Sequence, residues 1–184
     1  EEYRQILAKD PQNVNARIGL AAAYSKHDIP SAIDVLESSS LSVSNVTVQS
    51  FLGLLYLEKN DTERGQQVLT TVAANSNQTS LSAAFVAMSS YRLNSLNESE
   101  KFAQMALKGA PRNIPMLKLL ADIAVRRGQA EQAMERLEKW VEADPKNVEA
   151  LQRLLKIRMQ FKQYTKARDI TQLLIEINPD DPTA

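Results

Sequence analysis

The sequence of 184 residues contains no cysteine and only one histidine, His27. A chain without cysteine forms no disulfide bond, has no thiolate nucleophile and cannot build a cysteine-ligated zinc or iron–sulfur site. His27 falls in a predicted turn, so neither a histidine metal triad nor a Ser/His/Asp arrangement is expected. The five glycines are isolated and form no phosphate-binding loop. These absences predict a protein without a metal or cofactor and without enzymatic activity.

A surplus of one charge is also lacking, because 22 Lys and Arg residues balance 22 Asp and Glu residues. Proteins that bind nucleic acid usually carry extra cations, which replace the counterions of the phosphates. Long apolar runs are missing too, and a membrane-spanning helix needs about 20 predominantly apolar residues. We therefore expect no nucleic-acid partner and no direct insertion of this chain into a membrane.

A regular spacing of prolines organises the chain, since Pro111, Pro145 and Pro179 lie 34 residues apart. Each follows an apolar pattern of helical period, and proline ends helices because it lacks an amide donor. The spacing predicts five helix–turn–helix repeats, numbered one to five, at residues 14–45, 46–79, 80–113, 114–147 and 148–181. Residues 1–13 look like the second helix of an incomplete repeat. The whole chain, 1–184, is thus predicted to form one array.

Small residues recur at one position of each predicted helix. The first helices carry Ala21, Gly53, Ala87 and Ala121, with Leu155 as the exception. The second helices carry Ala32, Gly65, Ser99, Ala133 and Ala167. Two antiparallel helices approach closely only where neither has a bulky side chain, so we predict a tight crossing within each repeat at these positions.

This pattern resembles the tetratricopeptide repeat (TPR) family, whose 34-residue unit has Leu-Gly, Tyr, Ala and Pro landmarks. Leu52-Gly53 followed by Tyr56 matches the first two landmarks, and the closing prolines match the last. Arg17, Gln49 and Arg158 depart from the pattern, since large apolar or aromatic residues are usual there. The resemblance implies an all-α fold, a right-handed superhelical solenoid of antiparallel helix pairs with about five repeats and a leading half repeat.

The degenerate repeats and the lack of cysteine are similar to those of bacterial TPR proteins of the cell envelope. This group includes the TPR lipoproteins associated with PEP-CTERM sorting systems. The resemblance implies a fragment of a longer array that is located in the periplasm, or anchored to the outer membrane, rather than in the cytoplasm.

The resemblance also implies that the first helices line a concave groove, which gives candidate protein-binding residues. The apolar candidates of repeats two and three are Phe51, Leu54, Leu57, Phe85, Met88 and Tyr91. The basic candidates of repeats four and five are Lys118, Arg126, Arg153 and Lys156. A helix or extended peptide with apolar anchors and an acidic flank would complement this surface. Alternatively, the apolar candidates pack between repeats and the basic ones are merely solvated.

The leading prediction is therefore a non-enzymatic scaffold that binds a protein or peptide partner in its groove. Two alternatives are an accessory array that recruits substrate for a catalytic domain elsewhere in a longer protein, and a self-association module that forms a homodimer. Trp140, the single tryptophan, is predicted to pack at the junction of repeats four and five.

Overall fold

The computed structural model describes residues 1–75 and 77–179, which contain twelve α-helices and no β-strand. The all-α prediction is therefore confirmed. None of the helices in this described part combines the length and the apolar character that a membrane span requires. The helices are α1 Glu2–Lys9, α2 Val14–Ser25, α3 Ile29–Glu37, α4 Leu41–Ser44, α5 Val46–Glu58, α6 Thr62–Ala73, α7 Ser80–Arg92, α8 Leu96–Gly109, α9 Ile114–Arg126, α10 Ala130–Ala143, α11 Val148–Gln160 and α12 Tyr164–Ile177.

The chain divides into two compact units, Glu1–Gly109 and Ala110–Ala184, which we call the N-terminal and C-terminal units. In the N-terminal unit, α2 packs on α3, α5 on α6 and α7 on α8 as antiparallel hairpins, with α1 against α2. In the C-terminal unit, α9 pairs with α10 and α11 with α12, while α10 also packs on α11. The last two positions of repeat five, 180 and 181, lie outside the described residues.

Polar caps start the first helix of every repeat. The side chains of Asn13, Asn45, Thr79, Asn113 and Asn147 each accept a hydrogen bond from a backbone amide in the first turn of the helix that follows. The Asn147 amide oxygen, for example, lies 3.1 Å from the Ala150 nitrogen. Such caps satisfy amides that have no partner within the helix, and each is worth about 1 kcal/mol.

The turn inside repeats two to five closes with a residue in the left-handed region. These residues are Asn60, Asn94, Gly128 and Lys162, with φ between 54° and 69°. The amide of the next residue then bonds to the carbonyl five positions back, as from Asp61 to Tyr56 at 2.8 Å. This arrangement ends the first helix and reverses the chain within three residues.

The two helices of a hairpin cross where the small residues meet. A Cβ atom added to Gly65 would overlap the Leu57 side chain and lie 3.2 Å from the Gly53 carbonyl oxygen. In repeat three, the buried Ser99 hydroxyl donates to the Ala87 carbonyl at 2.8 Å across the same crossing. The backbones are therefore too close for larger side chains, which is the physical reason for the small residues.

Two departures from the family pattern are buried arginines with specific partners. Arg17 donates to the carbonyls of Pro11 and Val35, both at 2.7 Å, and so binds the carboxyl end of α3. Arg158 donates to Glu138 at 2.6 Å and to Gln163 at 2.7 Å. Each guanidinium replaces apolar packing by charge-assisted hydrogen bonds to a neighbouring helix or turn.

The one-turn helix α4 is absent from the sequence prediction, which has a single connection between α3 and α5. Hydroxyls in this serine-rich segment bond to nearby carbonyls, as from Ser42 to Ser39 at 2.8 Å and from Ser44 to Ser40 at 2.9 Å. The helix ends at Ser44 because Asn45 is extended and caps α5. Local hydroxyl bonds therefore stabilise a turn that apolar periodicity does not reveal.

Tyr56 forms a buried polar contact between repeats one and two. Its hydroxyl donates to the Glu37 carboxylate, and the Arg64 guanidinium lies 5.6 Å from the centre of its ring. Burial, followed by the hydrogen bond to Glu37, raises the pKa of Tyr56 from 10.0 to about 12. The folded state therefore holds this proton to higher pH than the unfolded state does.

The crossing in repeat two predicts a steric penalty for Gly65→Leu. The new side chain overlaps Leu57 and the Gly53 backbone, so we expect a loss of about 1–3 kcal/mol in the free energy of unfolding, measured with urea. Thr70→Leu, at an exposed position of the same helix, should change this free energy by less than about 0.5 kcal/mol. Equal values for the two variants would contradict the close crossing.

The raised pKa of Tyr56 predicts a loss of stability at alkaline pH. Its contribution is fully present below about pH 10 and decreases as the pH rises towards about 12, because the unfolded state loses the proton first. Urea unfolding across this range should show a smaller alkaline decrease for Tyr56→Phe than for the unchanged protein. Tyr164→Phe, which alters an exposed tyrosine, serves as the control and should keep the full decrease.

Candidate functional site

Four of the apolar candidates are buried in the N-terminal unit. Phe51 and Phe85 stack with their ring centres 4.5 Å apart and their planes 10° from parallel. They are 5% and 8% exposed, and Leu54 and Leu57 are 4% and 8% exposed. Their surface is used in packing α5 against α6 and α7, which favours the packing alternative for these residues.

The other two apolar candidates retain some exposed surface. Met88 is partly buried and packs against the core that contains Phe51 and Phe85. Tyr91, at the carboxyl end of α7, is also partly buried. The structure therefore brings Phe51, Phe85 and Met88 together, but as part of the core rather than as an open apolar surface.

Two of the basic candidates form ion pairs between α9 and α11 of the C-terminal unit. The Lys118 ammonium donates to Glu149 at 2.8 Å. Arg153 pairs with Asp122 and lies 3.5 Å from Glu149. The hydrogen bond from Lys118 is the main cause of a lowered pKa of Glu149. Within this network two cations face two carboxylates, so the local charge is balanced.

Trp140 lies beneath this network. Its side chain is 1% exposed, and the Lys118 ammonium and the Arg153 guanidinium lie 5.6 and 5.7 Å from the indole ring centre. Because Lys118 is on α9 and Arg153 is on α11, the indole connects repeats four and five. The predicted structural role of Trp140 is confirmed, with cation–π contacts in addition to apolar burial.

The remaining basic candidates, Arg126 and Lys156, are exposed. Arg126 is the last residue of α9, where a cation is favoured by the helix dipole. Lys156 lies on α11 and forms no ion pair within the described residues. It is therefore the basic candidate whose charge is available to a ligand.

A cleft opens between α9, α10 and α11, with a volume of about 380 Å³. Its apolar walls are formed by Val125, Ala130, Ala133, Leu137 and Ile157, and its remaining lining by Gly128, Arg153, Lys156 and Gln160. Two of the ten candidate residues, Arg153 and Lys156, thus belong to this cleft. We refer to it as the α9–α11 cleft.

The α9–α11 cleft combines an apolar interior with a polar edge. Alkyl groups line its interior and favour an apolar group, while Lys156 and Gln160 supply polar atoms. Val125 is 49% exposed, and Met159, at the equivalent position of α11, is 50% exposed. Asp122 and Glu149, the two carboxylates that pair with Arg153 of the cleft lining, are held in ion pairs.

Nothing in residues 1–75 and 77–179 assembles a metal site from three or more His, Cys, Asp or Glu side chains. The lining residues of the α9–α11 cleft that were not among the ten candidates are Val125, Gly128, Ala130, Ala133, Leu137, Ile157 and Gln160. Val125 lies at helical spacing from the candidate Lys118 on α9, and Gln160 lies at the same spacing from the candidate Arg153 on α11. This periodicity is a signal in the sequence that could have added both residues to the candidate site. Gly128 and Ala130 are signalled only by being small on either side of a turn, which does not indicate a cleft.

Comparison with known proteins identifies the repeat. The sequence model of the tetratricopeptide repeat matches residues 93–156 and 124–184. No curated protein sequence matches the chain at a significant level. Among solved structures, a human IFIT1 dimer with m7Gppp-AAAA has a TM-score of 0.73 at 16% identity, covering 94% of this chain and 44% of IFIT1. The chain thus spans less than half the length of that protein.

Two shorter structures are similar over nearly their whole length. YrrB, a TPR protein with an unusual peptide-binding site, has a TM-score of 0.64 at 14% identity, with 98% of this chain and 94% of YrrB covered. MamA AMB-1 has a TM-score of 0.70 at 14% identity, with 90% and 99% covered. At these identities the likeness concerns the fold alone. Because the two matched segments together span residues 93–184, half of the sequence, the chain belongs to the tetratricopeptide repeat family.

Proposed function

We propose that the chain is a non-enzymatic scaffold that binds a segment of a partner protein at the α9–α11 cleft. The observation that carries the proposal is the cleft itself, with apolar walls, an exposed Val125 and the exposed cation Lys156. An exposed apolar concavity with a polar edge is typical of sites that receive a side chain of a protein ligand. The proposal keeps the part of the predicted surface that lies in repeats four and five and leaves out the apolar candidates of repeats two and three.

The family context supports a protein ligand. YrrB, which shares the fold, has a peptide-binding site, so this architecture can present a peptide-binding surface. A nucleic-acid ligand fits less well, although IFIT1 is seen with m7Gppp-AAAA. Lys118 and Arg153 are already neutralised by Glu149 and Asp122, and contacts to several phosphates need several available cations. The location in the bacterial envelope, which rests on resemblance alone, remains a separate prediction.

The exposed residues of this surface can be tested by partner capture. The purified chain serves as bait in an extract of its source cells, and the double variant Val125→Asp with Met159→Asp serves as the test. Two carboxylates at half-exposed apolar positions should remove the partner without unfolding the chain, because neither residue is buried. Quantitative mass spectrometry measures the loss, and circular dichroism checks the helix content.

The matched control is the double variant Thr165→Asp with Gln172→Asp, on the exposed face of α12. It adds the same charge and should retain the partner. Light scattering of the bait distinguishes capture of another protein from association of two copies. Equal recovery by both double variants would exclude the α9–α11 surface as the binding site.

A further inference from the structure

We propose that the α9–α11 cleft receives one apolar side chain of its protein ligand, and that an aspartate or glutamate next to this residue pairs with Lys156. The inference deepens the proposed function and rests on it, since it assigns the chemistry of the segment bound at the same site. It commits to a short acidic segment with a single apolar anchor, and not to a nucleic acid or a lipid.

The size and the walls of the cleft determine which apolar side chain of the ligand it can hold. A volume of about 380 Å³ has room for one large side chain, such as leucine or phenylalanine, and some of its backbone. The deep lining consists of alkyl groups from Ala133, Leu137 and Ile157. At the turn, Gly128 has a φ of 69°, and a Cβ atom placed on it would meet nothing within 4 Å. This part of the lining therefore stays open to an incoming side chain.

The charged residues of the cleft determine that the neighbouring residue of the ligand is acidic. Arg153 lines the cleft, but its charge is balanced by Asp122 and Glu149. Lys156 also lines it, is exposed and forms no ion pair within the described residues. One available cation is complementary to one carboxylate, whereas phosphodiester chains need several cations.

The start of α10 adds a second favourable element for a carboxylate. Gly128 and Ala130, which flank the N-cap residue Gln129, both line the cleft. Gln129 makes no side-chain hydrogen bond to the first-turn amides. The positive end of the helix dipole, which Glu131 in the same turn offsets in part, therefore lies at this end of the cleft without a cap from Gln129.

A second cleft, in the N-terminal unit, shows that these features are not general to the fold. It lies between α4, α5 and α6, with a volume of about 210 Å³. Its lining contains serine, threonine, glutamine and aliphatic residues but no charged side chain. Its lining offers no cation with which an acidic segment could pair, so we expect this cleft not to bind the acidic peptides described next.

The test uses capped heptapeptides with one central leucine between aspartates, titrated into isotopically labelled protein and followed by amide NMR shifts. We expect saturable shifts at millimolar peptide, confined to residues that line the α9–α11 cleft. Replacing the leucine by alanine should weaken binding about tenfold, which corresponds to about 1.4 kcal/mol. Replacing the aspartates by asparagine should weaken binding and remove most of its dependence on salt.

Reversing the charge at position 156 tests the pairing of Lys156 with the ligand directly. Lys156→Glu should weaken binding of the aspartate peptide at least tenfold and should make a peptide with lysine in place of aspartate the better ligand. Lys156 is exposed, so this variant is expected to fold. The matched control is Lys166→Glu, the same charge change at an exposed position of α12, which should keep the original preference.

Three results would overturn the inference: no cleft shifts at millimolar aspartate peptide, equal binding of the leucine and alanine peptides, or an unchanged preference in Lys156→Glu. These results are separable from failure of the proposed function. A natural partner that is lost from the Val125/Met159 double variant but kept by Lys156→Glu would leave the scaffold function intact and exclude acidic recognition. Loss from both variants, with retention by Lys166→Glu, supports the inference.

Discussion

The helical hairpins of repeats one to four depend on a close crossing at which a small residue of the first helix faces a small residue of the second; in repeat five the first of these is Leu155. In repeat two these residues are Gly53 and Gly65, and in repeat three Ala87 accepts a hydrogen bond from Ser99. The short distance between the two backbones determines how the side chains on either side of the crossing meet the next hairpin. Phe51 and Phe85, which occupy equivalent positions of repeats two and three, stack with their ring planes 10° from parallel.

The same groove-facing positions are used differently in the two units. In the N-terminal unit they carry aromatic and aliphatic side chains that pack against the neighbouring repeat, so little apolar surface remains for a ligand. In the C-terminal unit they carry Lys118, Asp122 and Arg153, which hold α9 and α11 together by ion pairs above Trp140. The α9–α11 cleft opens beside these ion pairs, with Arg153 in its lining.

The sequence was sufficient to predict the helix pairs, the small residues at the crossings and the burial of Trp140, because all three follow from a repeated period. It also contained two signals that periodicity alone does not use: the asparagine before most first helices and the asparagine or glycine in the turns. The site was harder to predict. Whether Phe51 is exposed depends on how closely Phe85 approaches it, and whether Arg153 is available depends on Asp122, which lies 31 positions earlier.

Pairing between neighbouring repeats also shows why a count of charges along the groove is not enough to describe its electrostatics. Arg92 pairs with Glu58 at 2.9 Å, Lys118 with Glu149 and Arg158 with Glu138, so each of these cations has a carboxylate partner in the neighbouring repeat. The opposite charges of such a pair largely cancel, so the pair contributes little to the electrostatic field that a ligand experiences more than a few ångströms away. Recognition by charge then depends on cations without a carboxylate neighbour. Among residues 1–75 and 77–179, Lys156 has no such neighbour, and it lies beside an apolar cleft. A pair of ligand residues, one apolar and one acidic, can therefore satisfy both features at once.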